Sequence, residues 1–244
     1  MINIKALNAT LSSGEVILDE ISFKLPKGAK LAIIGANGSG KSTLMQAMLG
    51  MIPVRYESYQ LGQADFTALT PITRAKMISY IGQQIVPENE ITAWEWCELS
   101  RYPHGSSRAE NQQIITAMLE KMNALHFAPR RLSSLSGGER QRIYMAGALA
   151  QETPMIFLDE VSAALDPKYR EAMHQTIGTL SDKTVVAITH DLNALGFYSH
   201  ILALKAGKIV AFGARETVLT QSLLQTVFDY DFTEVWHEGH ARYF

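Results

Sequence analysis

The sequence is poor in the features that mark secreted, membrane-embedded or nucleic-acid-binding chains. It has one cysteine in 244 residues, so no internal disulfide can form. Nothing in Trp94-Glu95-Trp96-Cys97-Glu98 supplies a base to activate the thiol, and Cys97 is read as packing material. Long hydrophobic runs are missing too. The longest apolar stretches, such as Thr184–Ile188 and Met155–Leu158, fall far short of the roughly 18–20 residues that a membrane-spanning helix needs. Charge of one sign is lacking: 22 Lys+Arg against 24 Asp+Glu leave a net charge of −2. That balance argues against a chain built to grip the nucleic-acid backbone, and nucleic acid is not expected as a partner. Met1-Ile2-Asn3-Ile4-Lys5 has none of the charge and apolar stretch of a secretory leader, so the expected place is the cytosol. Internal repeats and low-complexity segments are missing as well, which removes solenoid and linker readings.

What remains is an ordinary globular composition, 47% hydrophobic, in a length that suits one large domain or a core with an inserted lobe. Ile2, Ile4 and Ala6, then Ile21, Phe23 and Leu25, alternate at period two around Gly14, which predicts early antiparallel strands. Lys30–Ile34 enters a glycine-rich turn and is followed by helical spacing at Leu44, Ala47 and Met48. Met155–Leu158 and Val185–Thr189 read as buried strands, each followed by a helical pattern, as in an open parallel sheet. Between residues 84 and 131 strand signals stop, and Ile114, Ile115, Met118 and Leu119 form one helical stripe. An inserted helical lobe is expected over about 84–150. The tail returns to strands at Ile201–Leu204 and Ile209–Phe212 around Ala206-Gly207, then a helix near Leu219–Phe228. His237-Glu238-Gly239-His240 lacks a third ligand and reads as a polar hairpin tip rather than a metal site. The expected fold is α/β, with a mostly parallel sheet, an N-terminal antiparallel β subdomain and the helical insertion, all within one domain over 1–244.

Three motifs carry chemistry. Gly35-Ala36-Asn37-Gly38-Ser39-Gly40-Lys41-Ser42 fits the phosphate-binding pattern G-x-x-x-x-G-K-[ST] between a strand and a helix, with Thr43 next in the first turn. Its glycines let backbone N–H groups approach phosphates, Lys41 reaches the β/γ-phosphates, and Ser42 is a Mg²⁺ ligand. Asp159-Glu160 ends an apolar strand at the sheet edge where ligands bind. Asp159 would act through Mg²⁺ and Glu160 would orient an attacking water. Leu135-Ser136-Gly137-Gly138-Glu139 opens a helix. Ser136 and Glu139 match a capping box, yet two glycines in a first turn suit an anion better than they suit helix stability. One triphosphate has little need of two helix starts unless a second copy of the chain provides one of them.

These runs, in this order and spacing, resemble the ATP-binding cassette ATPases of membrane transporters, with their P-loop NTPase core. The resemblance implies that Gln83 in Tyr80-Ile81-Gly82-Gln83 is the loop glutamine, a Mg²⁺ ligand joining core to helical lobe. It implies that Ala163-Ala164-Leu165-Asp166 communicates across a dimer, with Asp166 also free to cap the helix that begins at Pro167. His190 is similar to the switch histidine that contacts the γ-phosphate, the other reading being a cap on its own helix. Two positions depart from the family. Leu11 stands where an aromatic usually stacks on adenine, so ATP is expected to be held mainly through its triphosphate, and Val161 replaces a common Pro. Glu98-Leu99-Ser100-Arg101-Tyr102-Pro103-His104 is similar to a segment of importer ATPases for iron chelates, haem and cobalamin. Beside it, Trp94, Trp96 and Tyr102 read as lobe core, or as a groove for a helix of a membrane subunit. The implied protein is a homodimeric ATPase on the cytoplasmic face of the membrane. It would use ATP and Mg²⁺ and serve two permease subunits and, through them, an extracytoplasmic binding protein. The alternative is a soluble cassette serving as a scaffold for iron–sulfur cluster assembly.

Overall fold

The computed structural model describes residues 1–10, 13–82, 91–161, 165–237 and 240–243. They form two compact units: Met1–Leu69 with His174–Phe244, and the insertion Thr70–Met173. The first unit opens with β1 (Ile2–Thr10) and β2 (Val16–Leu25), an antiparallel pair. The alternation breaks at Ala6. Ile2, Ile4, Leu7 and Ala9 are buried, whereas Ala6 is a left-handed residue (φ 51°) inside a bulge. The bulge shifts the pleat by one residue, and Ser22 Oγ accepts the displaced N–H of Ala6 at 2.8 Å. Next come β3 (Lys30–Ile34), buried throughout, α1 (Lys41–Leu49), β4 (Ser58–Leu61) and β5 (Ala64–Asp65). The small sheet runs β2-β1-β4-β5. The expected antiparallel pair thus belongs to a four-stranded sheet of its own.

The insertion holds α2 (Pro71–Met77), β6 (Ile78–Ile81), α3 (Ala93–Arg101), α4 (Arg108–Lys121), α5 (Gly137–Ala150) and β7 (Met155–Asp159). Helix α6 (Pro167–Thr179) follows. Strands β6 and β7 pair in parallel, Ile81 opposite Leu158. Apolar burial drives the helices together: Ile115 and Leu119 of α4 and Cys97 of α3 are fully buried, as are Ile143 and Met145 of α5. Burial alone pushes the Cys97 thiol up to about 12, which fits packing rather than nucleophilic use. Arg101, 2% exposed, spends its guanidinium on Asn111 Oδ1, Ala150 O, Glu152 Oε2 and Ser106 Oγ, tying the ends of three helices. Trp96 packs on Tyr144 with ring centroids 5.0 Å apart, as lobe core should. Tyr102 does not. It is 82% exposed, because it lies in the C-cap of α3 past the last turn that faces α5.

Back in the first unit, β8 (Thr184–Ile188), β9 (His200–Lys205) and β10 (Lys208–Ala214) join β3 in the order β10-β9-β3-β8. Strands β8 and β9 flank β3 in parallel. Ala206 (φ 47°) and Gly207 (φ 75°) make the tight β9–β10 turn with two positive φ angles. The segment after β8 is a 3-10 turn, Leu192–Phe197, rather than the expected helix, and it is capped by Asp191 Oδ1 on the N–H of Asn193. The chain closes with α7 (Arg215–Val218), α8 (Gln221–Phe228) and a hairpin of β11 (Glu234–His237) and β12 (His240–Tyr243) in which the backbone of His237 pairs with that of His240. No described helix is long and apolar enough to cross a membrane.

Candidate functional site

Strand β3 ends at Ile34, and the chain must turn sharply before α1. Gly35, Gly38 (φ 76°) and Gly40 (φ 100°) make that turn. A Cβ at Gly35 would stand 2.5 Å from both Leu204 O and Ser39 Oγ, so only glycine fits there. Asn37 and Gly38 are exposed at the tip, and Ser42 and Thr43 are half-buried in the first helical turn. Lys41 is buried. Its ammonium donates to Gly35 O at 2.9 Å and Ala36 O at 3.0 Å, which holds the charge against the inside of the loop. The N-cap of α1 is Gly40, with no side-chain cap bond and no acidic residue in the first turn. Ser39 Oγ is buried with no hydrogen-bond partner among the described residues. Open helix N–H groups, a trapped ammonium and an orphaned hydroxyl form a donor set that suits a polyphosphate anion.

The β9–β10 turn braces this loop. Gly207 donates its N–H to Ser39 O at 3.0 Å and accepts from the N–H of Asp19 at 2.9 Å. A Cβ at Gly207 would lie 2.3 Å from Ile17 O, so the glycine is needed for the close approach as well as for its turn. Its neighbours in the sequence mark Gly207 as a hairpin residue only. Because β3 and β8 are parallel neighbours, with Thr189 N–H donating to Ile33 O at 3.3 Å, Gly35 and His190 leave the same sheet edge. His190 is exposed there. The cap of the turn that follows is Asp191, so the capping alternative for His190 is replaced by an ST-type step: Asp191 N–H donates to Thr189 Oγ1 at 3.0 Å.

In the insertion, β6 and β7 also end on one edge, carrying Gly82 beside Asp159 and Glu160. Asp159 is 4% exposed at the last position of β7. Burial first, and then the Asp159 charge, push the phenol of neighbouring Tyr80 above its ordinary range. Glu160 adopts φ 53°, a left-handed conformation that costs a non-glycine residue about 1–2 kcal/mol. Strain of this kind gathers where a side chain must be aimed for function. At the start of α5 the capping box is complete: Ser136 Oγ accepts from Glu139 N–H at 3.3 Å and Glu139 Oε2 accepts from Ser136 N–H at 2.7 Å. Gly137 and Gly138 are half-buried, and Leu165 Cδ2 lies 3.6 Å from where a Cβ of Gly138 would be. Asp166 accepts from Tyr169 N–H at 3.2 Å and so caps α6. Gln83, Leu11 and Ala163-Ala164 lie outside the described residues.

A family model described as ABC transporter matches residues 18–163. The chain belongs to the ABC transporter family. It is therefore an ABC-type ATPase, as its three motifs implied. A hemin import ATP-binding protein of Pseudomonas entomophila is 34% identical over 239 residues, covering 95% of this cassette and 93% of that protein. A ferric enterobactin transport ATP-binding protein of Escherichia coli is 31% identical over 228 residues, covering 90% of the cassette and 84% of the relative. Among solved structures, a dimeric ATP-binding cassette in a post-hydrolysis state with ADP and Pi matches with a TM-score of 0.80. It is 28% identical, over 88% of this chain and 98% of that one.

Proposed function

We propose that this cassette is the ATP-hydrolysing subunit of an importer for a chelated metal, a siderophore or haem class of solute. It would work as a homodimer at the cytoplasmic face of the inner membrane. The observation that carries the reading is the 34% identity with a hemin import ATP-binding protein along 95% of the chain. Relatives of the importer kind favour this over the iron–sulfur scaffold. On this reading the backbone of Gly35–Thr43 and Lys41 hold the triphosphate, Asn37, Gly38, Ser39 and Gly40 shaping the loop around it. Ser42, Asp159 and Gln83 would be the oxygen donors for Mg²⁺, which would supply charge neutralisation to the phosphates. Glu160 orients the attacking water and His190 contacts the γ-phosphate. Ser136, Gly137 and Gly138 serve the nucleotide held by the partner copy, and Asp166 lies at the crossing between copies. Leu99 and Tyr102, 61% and 82% exposed at the end of α3, offer an apolar edge of the kind a permease helix would cover.

The test is Glu160→Gln in the full chain. It should bind ATP, stop turnover, and elute as an ATP-bound dimer, whereas turnover at the parental rate would remove Glu160 from the chemistry. Co-purification from detergent-solubilised membranes with two permease chains would support the importer reading, and a cassette recovered only with cluster-assembly proteins would refute it.

A further inference from the structure

Three pieces of backbone meet at the phosphate loop with no side chain between them. Gly207, in the β9–β10 turn, donates its N–H to Ser39 O at 3.0 Å and accepts from the N–H of Asp19 on β2 at 2.9 Å. The space beside it is closed: a Cβ at Gly207 would stand 2.3 Å from Ile17 O, and one at Gly40 would come within 3.7 Å of Gly207 Cα. Among the described residues, the N–H of Gly207 is the one hydrogen-bond donor that reaches residues 36–40 from outside the loop and its helix.

That bond bears on a single peptide plane. The N–H of Ser39 donates to Ala36 O at 3.2 Å, which holds the plane before Ser39, and Gly40 O accepts from the N–H of Leu44 at 2.8 Å, which holds the plane after Gly40. Neither bond holds the Ser39–Gly40 plane that lies between them. Gly40 (φ 100°) would let that plane turn over to a negative φ, because glycine populates both signs about as readily. A trans peptide is flat, with its C=O and N–H on opposite sides. Holding Ser39 C=O towards Gly207 therefore aims the Gly40 N–H away from the turn, and this N–H has no acceptor among the described residues.

We infer that Gly207 is a positioning residue for nucleotide binding: through Ser39 O it selects the peptide orientation in which the Gly40 N–H can donate to a phosphate oxygen. The inference rests on the reading of residues 35–43 as the triphosphate site. Without the bond, the Ser39–Gly40 plane samples both orientations and the loop lacks one of its donors for part of the time. Phosphate is then held less tightly, whatever contacts the base makes.

Calorimetric binding of ATP and of inorganic triphosphate to the full-length chain tests this. Replacing the amide between Ala206 and Gly207 by an ester removes the N–H and leaves the backbone angle and the missing Cβ as they are. Affinity for both probes should fall about tenfold, the scale of one hydrogen bond to a charged group, at unchanged stoichiometry. Gly207→Ala, whose Cβ would press on Ile17 O, should give the same loss for both probes together with a lower melting temperature. Lys208→Ala is the control for the turn as a whole. It breaks the exposed ion pair with Asp19 at 3.0 Å, keeps the N–H of Gly207, and should bind both probes like the parent. An ester chain that binds both probes like the parent, where Lys41→Ala has lost them, overturns the inference and leaves the reading of the phosphate loop standing. A loss confined to ATP, with inorganic triphosphate held as before, overturns it as well, since the turn would then act on the base through β2. So does a Lys208→Ala chain as weak as the ester, which would make affinity a matter of the hairpin's stability. If Lys41→Ala itself binds both probes at the parental affinity, the reading of the loop falls and the inference falls with it.

Discussion

Two helices of this chain begin with glycines, and they treat their first-turn N–H groups in opposite ways. Helix α1 starts at a glycine N-cap, with no side-chain cap bond, no acid in its first turn and the ammonium of Lys41 folded against the loop. Helix α5 starts inside a closed capping box, and Glu139 sets a negative charge in its first turn. The macrodipole favours an anion at both helix starts, yet only α1 leaves its first-turn donors without a side-chain cap or a neighbouring acid. At α5 the serine oxygen already takes one N–H, and the carboxylate repels a phosphate. This difference suggests an order of events. On the proposed reading, the loop before α1 holds a triphosphate alone, while the start of α5 adds a grip only on a phosphate that something else has already brought to it.

The largest effect is expected from breaking the stronger partner. Lys41→Ala removes charge-assisted contacts worth about 2–3 kcal/mol, so ATP affinity measured by calorimetry should fall at least about 30-fold, with turnover lost. Ser136→Arg should leave affinity of the single chain intact and block the ATP-driven dimer on a sizing column. If it weakened binding as much as Lys41→Ala, the two starts would not differ as argued.

Glycine substitutions sharpen the contrast through stability. At Gly40, φ is 100° and a Cβ would press on Leu18 Cδ2 at 3.0 Å and Ile17 O at 3.3 Å. Gly40→Ala should cost about 1–3 kcal/mol, or roughly 2–4 °C of melting temperature per kcal/mol. At Gly138 the new methyl would make an ordinary contact with Leu165 Cδ2 at 3.6 Å in a helical backbone. Gly138→Ala should therefore melt at the parental temperature or a few degrees above it, since alanine gains up to about 1 kcal/mol over glycine in a helix. On the proposed reading of Gly138 as part of the approach to the partner's nucleotide, its turnover should nonetheless drop.

Much of this arrangement could be read from the sequence, for a physical reason. The strand-loop-helix at Lys30–Leu49, the strand ending in Asp159-Glu160 and the box at Ser136–Glu139 are each written in neighbouring residues, so local chemistry suffices. What could not be read depends on partners far along the chain. Nothing beside Gly207 says that a Cβ there would run into Ile17 O, and nothing beside Asn193 announces that it will accept from the N–H of Tyr243. The bulge at Ala6 was hidden because a single inserted residue leaves the apolar composition of β1 unchanged while moving its phase. The helical pattern expected after β8 is instead a 3-10 turn, Leu192–Phe197, in which Leu192 and Leu195, three residues apart, are both buried, a spacing that an α-helix and a 3-10 turn share. Of the two readings of Tyr102, lobe core or an exposed groove residue, its type cannot choose; the end point of α3 does, leaving it exposed.

The smallest effect separates the two helix starts by acid. The N–H of Ser136 donating to Glu139 is the chief cause that holds this carboxyl below its ordinary 4.5, with Arg130 and Arg142 adding to it. A carboxylate whose pKa is depressed on folding stabilises the folded chain above its unfolded pKa, and that contribution is lost as pH falls through the lower folded value. Acidification below 4.5 should thus open the α5 box. The start of α1, which has no acid in its first turn, should be unaffected. Glu139→Gln keeps an oxygen for Ser136 N–H but cannot titrate, so it isolates the charge. The parental chain should melt higher than Glu139→Gln at neutral pH, and the gap should close as pH drops below 4.5. Glu95, held low in the matching box with Thr92, titrates equally in both chains and cancels from the difference. A gap that stays constant from neutral pH down through this range would mean that the charge on Glu139 does not strengthen the cap, and the argued contrast between the two helix starts would lose its electrostatic half.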